Sequence, residues 1–295
     1  MRAAMRITAA LVLAFSFCNS ALAAEKKELL IGLIPEENIF RQIERNMPLA
    51  GYICRKTGIS IKFTILSRYG DIIDAFVTRD MDGAFFGAFT GYLAHVKLGV
   101  VPLVRPVGAE GGTVAQSIIF VRKDSGIRDV RQFRHKSAVF VDKATATGFI
   151  YLLCKLRGIG VHNVDGFFRE YYFTGNQESS VYSVLDRRAD VGVAKSRYFE
   201  KLAAKDPLVA EELLVIARSE KLPDTVLCLR KDMDPLIRQK LMDVLVGMKK
   251  DPEGQRVLHE LGYSGFTASK VSDFDPVAKL SREAGIDIRT YRYTR

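Results

Sequence analysis

The sequence predicts an α/β protein of two lobes, each a mostly parallel sheet flanked by helices, with two crossover strands joining them. Three observations carry this expectation. Short apolar strand patterns alternate with helix patterns through short polar turns, as βα units do. The strand pattern Ala115–Arg122 has no helix directly before it, and Pro223–Arg230 reads as a return crossing. The 295 residues, 48% of them hydrophobic, supply enough core for two lobes. There is no low-complexity run and no repeat of solenoid length.

Residues 1–23 read as a signal peptide. Arg2 and Arg6 precede the apolar run Ile7–Phe17, which is too short to span a bilayer, and Ala21-Leu22-Ala23 supplies a cleavage signal. Bulky Phe17 before Cys18 argues against a lipid anchor, so a soluble periplasmic protein is expected. Removing the segment takes away two arginines and no acid, so the net charge falls from +10 to +8. That balance favours anionic ligands or anionic lipid. Export removes most nucleic-acid partners, and the basic tail Arg289–Arg295 reads as solvated.

The first lobe is expected over 24–114. It has strands at Glu28–Leu33, Ser60–Leu66, Met81–Phe86 and Val100–Val104, and helices at Ile39–Arg55, at Asp71–Thr78 and from the turn Gly87–Gly91 through Leu98. The second lobe, 115–222, has strands at Ala115–Arg122, Ser137–Val141, Val164–Phe173, Asp190–Ala194 and Glu212–Ile216. Helices lie between them at Gly126–Phe133, Phe149–Leu156, Ser179–Arg187 and Ser196–Ala204. Residues 223–295 return to the first lobe with helices at Asp234–Lys249, Pro252–Leu261 and Pro276–Glu283. Hinges are expected near Ser117–Val121 and Val226–Leu229.

Ligands of such sheets bind beyond the carboxyl ends of strands. Five polar turns are expected there: Pro35–Asn38, Ser67–Tyr69, Gly87–Tyr92, Thr145–Gly148 and Gly175–Glu178. The chain is organised around the fourth. Thr145 and Thr147 stand where strand meets helix, and Gly148 admits a close backbone approach. A helix start carries unpaired N–H groups and partial positive charge, so this turn either seats an anion or is simply capped by a threonine. Tyr69 and Tyr92 either close over a ligand or pack. Asp190 either accepts a hydrogen bond from the ligand or caps a helix, and Asn38 is a cap or a ligand donor. Glu37 and Glu178 are either solvated or face a cationic group.

Catalysis and metal binding find no support. His95, His135, His162 and His259 are isolated, and Ser117, Ser179 and Ser180 lack an elbow motif or a base partner. No cofactor motif is present. Cys54, Cys154 and Cys228 are widely spaced, which reads as buried thiols, with one disulfide as the alternative.

Six stretches, in order, resemble the periplasmic phosphonate/phosphate-binding family of ABC-transporter solute-binding proteins. They are Ile31–Asn38, Phe85–Ala94, Ser117–Ile127, Asp142–Gly148, Thr174–Ser180 and Ala189–Val193. The resemblance implies a type II periplasmic-binding-protein fold. It implies a site in which Thr145-Ala146-Thr147-Gly148 matches the family's Ser-Thr-Ser-Gly turn for phosphonate oxygens. Ala146 loses one hydroxyl of that turn. Gln177 stands where the family has histidine and still donates hydrogen bonds. Gly87–Tyr92 resembles a Gly-Pro-x-x-Tyr turn with Ala88 for proline and one extra residue, which leaves Phe89, Thr90 and Tyr92 as alternatives to face the ligand.

The resulting expectation is a monomeric, non-enzymatic binding protein without cofactor. It would capture a small oxyanion between its lobes and deliver it to an ABC permease, touching the membrane only through that partner. The alternatives are presentation of the ligand state to a sensor kinase, or an enzyme on the same scaffold.

Overall fold

The computed structural model describes residues 28–36, 38–109 and 111–293. The expected signal peptide, residues 1–23, and Glu37 fall outside the described residues. In the first part of the chain, β1 (Glu28–Leu33) leads to α1 (Ile39–Thr57), β2 (Ser60–Ile65), α2 (Asp71–Thr78), β3 (Gly83–Phe86), α3 (Ala88–Leu98) and β4 (Val101–Gly108). A two-residue strand, β5 (Val114–Ala115), leads out. The next part holds β6 (Ser117–Arg122), β7 (Ser137–Phe140), α4 (Tyr151–Arg157), β8 (Glu170–Phe173), α5 (Gln177–Leu185), β9 (Val191–Lys195), α6 (Ser196–Lys205), α7 (Pro207–Glu212) and β10 (Leu213–Arg218). After β11 (Leu222–Pro223), the chain returns through β12 (Val226–Leu229), α8 (Pro235–Gly247), α9 (Pro252–Leu261), β13 (Tyr263–Ala268) and α10 (Asp275–Glu283).

Two sheets result, ordered β13-β4-β12-β3-β1-β2 and β10-β6-β9-β7-β8, with the small ribbon β11-β5 between them. The sheets are mixed rather than mostly parallel. Parallel pairing is confined to β2-β1-β3 and β8-β7-β9, the strands of the successive βα units. β12 and β6 enter each sheet from the other lobe and therefore run antiparallel to their neighbours. The crossing itself is the β5–β11 ribbon, where Leu222 pairs Ala115 and Pro223 pairs Val114. The expected hinge strands Ser117–Val121 and Val226–Leu229 instead lie inside the sheets, held on both edges. They cannot bend without breaking ladders.

Local chemistry explains most elements. Asn38 caps α1 through its side chain, and Gly58 ends that helix in the left-handed conformation (φ 74°). Asn176, Asp206, Asp234 and Asp251 cap α5, α7, α8 and α9. β13 has no counterpart in the sequence reading. It pairs with the edge of β4 with a bulge between Tyr263 and Gly265, and Gly265 and Ser264 weaken its strand pattern.

Helices cover both faces of both sheets. Leu49, Tyr52 and Ile53 of α1 pack with Leu241 and Leu245 of α8 and Leu258 of α9 under the first sheet. Val181 and Val184 of α5 join Phe199, Leu202 and Val209 beneath the second. The remaining faces share one apolar cluster that runs through both lobes, from Phe86, Phe89 and Leu93 to Phe140, Ile150 and Leu156. The C-terminal segment sits on this seam. Phe274, Val277 and Leu280 belong to the shared cluster. The segment therefore packs on both lobes, where the sequence assigns it to the first alone. No described helix is long and apolar enough to cross a membrane.

Candidate functional site

The turn after β7 is built by one residue, Asp142, through its side chain and its carbonyl. Asp142 Oδ1 accepts from Ala144 N (2.8 Å), and its carbonyl accepts from Thr145 N (3.1 Å) and the Thr145 hydroxyl (2.6 Å). Because that hydroxyl is turned back to Asp142, Thr145 occupies the N-cap position without capping the helix. The helix then opens with a wide π turn over Ala146–Ile150, in which Ile150 N donates to Thr145 O at 3.1 Å. Its first N–H groups have no intrahelical acceptor, and no side-chain cap satisfies them. Buried Ser117 donates its hydroxyl to Thr147 O at 2.7 Å and so fixes the turn to β6.

A cavity of about 20 Å³, room for little more than a water molecule, adjoins this turn. Its lining includes Thr145, Ala146 and Thr147 of the second lobe and Tyr69, Gly87 and Phe89 of the first. Gln177 completes one wall. Its Oε1 accepts from Lys195 N at 2.8 Å, and its Nε2 donates to the Tyr69 hydroxyl at 3.3 Å, a hydrogen bond across the lobes. Burial, reinforced by the charge of Glu36, holds the Tyr69 phenol protonated well above its ordinary range.

Beside the cavity lies a four-charge network that the sequence reading does not single out, three of its members buried and Arg197 half-exposed at its rim. Lys195 ends β9, and its ammonium hydrogen-bonds Glu36 of the first lobe and Asp224 Oδ1 of the return crossing, the latter at 2.8 Å. Arg197 engages the other oxygens, Nη2 to Glu36 Oε2 at 3.3 Å and Nη1 to Asp224 Oδ2 at 3.0 Å. Burial alone would raise both carboxyls, but the two cations outweigh it and hold both below the ordinary range. Glu36 figures in the sequence only as part of a turn. The strand-end rule that selects the other turns also selects Lys195-Ser196-Arg197, where β9 runs directly into α6. Asp224 carries no such signal.

Other expected residues lie elsewhere. Gly148 does not line the cavity. A side chain there would meet Val141 Cβ at 2.5 Å and Thr145 Oγ1 at 2.7 Å, so its bareness serves the seating of the helix on β7. Tyr92 packs on Phe274, ring centroids 6.3 Å apart, and Thr90 is buried with its hydroxyl on Gly87 O. Both sit on α3 behind the turn, and of the three alternatives Phe89, Thr90 and Tyr92 it is Phe89 that lines the cavity, beside Gly87 and Ala88. Asn38 is an exposed helix cap, its Oδ1 accepting from Phe40 N and Arg41 N. Asp190 lies at the amino end of β9, the wrong end of the sheet, where Oδ2 accepts from Ser137 N and the Ser137 hydroxyl, both at 2.8 Å. Cys54, Cys154 and Cys228 are free thiols.

A larger groove of about 220 Å³ opens beside the same turns, between Arg68 and Asp71 of the first lobe and Asp142, Lys143 and Thr174 of the second, with Tyr293 along it. Burial, with Asp71 nearby, raises the Asp142 carboxyl to about 6.

The family described as "ABC transporter, phosphonate, periplasmic substrate-binding protein" matches residues 31–274. The chain belongs to this family. It is 23% identical over 265 residues to the phosphonates-binding periplasmic protein of Escherichia coli K12, covering 87% of this chain and 77% of that one. It is 24% identical over 254 residues to the phosphate-import protein PhnD of Mycolicibacterium smegmatis, covering 83% and 78%. In structure it is similar to PhnD1 of Prochlorococcus marinus in complex with methylphosphonate, with a TM-score of 0.78, 15% identity, and coverage of 88% and 99%. The two-lobed periplasmic-binding-protein fold is shared. The chain is thus a periplasmic substrate-binding protein of the ABC-transporter type.

Proposed function

We propose that the protein captures a small phosphorus oxyanion, a phosphonate or phosphate, at the Thr145–Thr147 turn and delivers it to an ABC permease. The observation that carries this is the helix start at Ala146, left without a side-chain cap on the face where the two lobes meet. Backbone N–H groups at such a start bind oxyanions directly, and the helix dipole adds to them. Gln177 and Tyr69 supply further polar contacts from opposite lobes. The relatives named for phosphonate and phosphate support the ligand class.

Entry requires the lobes to part, because the cavity is smaller than the ligand. The β5–β11 ribbon is the short element able to flex, and closure re-forms the Gln177–Tyr69 contact around the guest. Binding uses hydrogen bonds to an anion in a dry site and needs no cofactor. The protein acts as a monomer, exported by its signal peptide, and performs no chemistry on the ligand.

The test is thermal unfolding against phosphate, phosphite, methylphosphonate, sulfate, sulfonates and dicarboxylates. A ligand that binds only the folded state raises its stability by mass action. A shift with a phosphorus oxyanion, lost in Thr145→Ala/Thr147→Ala, is the expected result. A shift with sulfonates or dicarboxylates alone overturns the ligand class.

A further inference from the structure

We infer that Lys195 is a built-in cation that fills the acidic corner of the cleft, so that the protein selects oxyanions bearing no ammonium group. This rests on the proposed oxyanion site and adds the class of substituent that site accepts. The reasoning starts from stoichiometry. The two carboxylates offer four oxygens, and each has a cationic partner: Lys195 on Glu36 Oε1 and Asp224 Oδ1, Arg197 on Glu36 Oε2 and Asp224 Oδ2. Two carboxylates and two cations make the corner electrically neutral, and every carboxylate oxygen in it already has a cationic partner.

The position is part of the cleft. Lys195 and Asp224 line the same cavity as Thr145, Ala146 and Thr147. Lys195 is buried to 5% and Glu36 to 4% exposure, so an ammonium brought in by a ligand would have to displace one that is already desolvated and paired. The Tyr198 ring lies 5.7 Å from the Lys195 nitrogen and closes another side. Backbone geometry holds the lysine in place, since its N–H is bonded to fully buried Gln177.

An ammonium has three donors, and two of those of Lys195 go to the acids. The third is available to an oxyanion on the neighbouring turn. A ligand with a small neutral substituent therefore meets one extra donor, while an aminoalkyl ligand meets a like charge in place of an acceptor. Removing the lysine side chain inverts this. It empties a channel the length of a short alkylammonium and leaves Glu36 and Asp224 with one cation between them.

The experiment compares methylphosphonate and 2-aminoethylphosphonate by calorimetry, and n-propylammonium by thermal shift, on the wild type and Lys195→Ala. Wild type is expected to prefer methylphosphonate by about tenfold or more, roughly 1.4 kcal/mol. Lys195→Ala is expected to reverse the order and to be stabilised by n-propylammonium chloride, which leaves the wild type unmoved at equal ionic strength. Equal wild-type affinity for the two phosphonates overturns the inference, and that arm requires no variant to fold. So does a Lys195→Ala protein indifferent to n-propylammonium. If the wild type binds neither phosphonate, the preference among substituted oxyanions is overturned; the oxyanion reading itself fails only if phosphate and phosphite also leave the protein unmoved, and the n-propylammonium arm still decides whether the corner is a cation cradle.

Discussion

The ammonium of Lys195 lies 2.8 Å from Asp224 Oδ1, both side chains buried, and so ties the last residue of β9 in the second lobe to the return crossing of the chain. Glu36 extends the tie to the first lobe, 159 residues away in sequence. Three parts of the molecule thus share one charge cluster at the point where the lobes meet.

Breaking that cluster on one side leaves a buried charge uncompensated. Asp224→Ala is expected to destabilise the protein by about 3–5 kcal/mol, measured by urea unfolding. Lys195→Ala/Asp224→Ala, which removes one charge of each sign, is expected to cost clearly less than the sum of the two single changes. Strict additivity would mean the pair is not coupled.

Asp142 gives a pH dependence of opposite sign to the network acids. Its folded carboxyl is raised from 3.8 to about 6, so between those values the folded state binds more protons than the unfolded state. Stability from this group therefore falls as pH rises through that window, by about 3 kcal/mol in all. Glu36 and Asp224 are depressed, so their contribution is lost only as pH falls below the ordinary carboxylate range. Asp142→Asn keeps an acceptor for Ala144 N and removes the titration. The difference between wild-type and variant stability, followed by denaturant titration from pH 4 to 7, should change across pH 4–6 and be flat above it.

Gly148→Ala tests the seat of the helix on β7. A methyl group would stand 2.5 Å from Val141 Cβ, so the turn must shift. A loss of about 1–3 kcal/mol is expected, together with loss of the oxyanion-induced thermal shift. An unchanged melting temperature would mean that the turn yields freely.

Tyr291 ties the C-terminal tail to both lobes. Its hydroxyl donates to Lys143 O at 2.9 Å, and its ring stands edge-on to Phe89 at 5.5 Å. Tyr291→Phe should cost about 1 kcal/mol through the lost hydrogen bond, and Tyr291→Ala about 3–5 kcal/mol. Equal effects from the two variants would show that the ring contributes nothing.

How much of this is legible in sequence depends on whether the cause is local. The cap at Asn38 and the strand-to-helix turns at Ser67–Tyr69, Thr145–Thr147 and Gly175–Gln177 follow from residue type and periodicity within a few positions. So does the separation into two sheets, because a crossing strand without its own helix is visible in the pattern.

What only the tertiary structure decided is which turns meet and which charges pair. Asp190 stands just before β9 and Lys195 ends it, yet one lies away from the cleft and the other in it, because strand direction within the sheet sets which end meets the other lobe. Apolar periodicity records which face of an element is buried. It carries nothing about partners separated by 159 residues, as Glu36 and Lys195 are, since ion pairing depends on where the sheets place those ends in space.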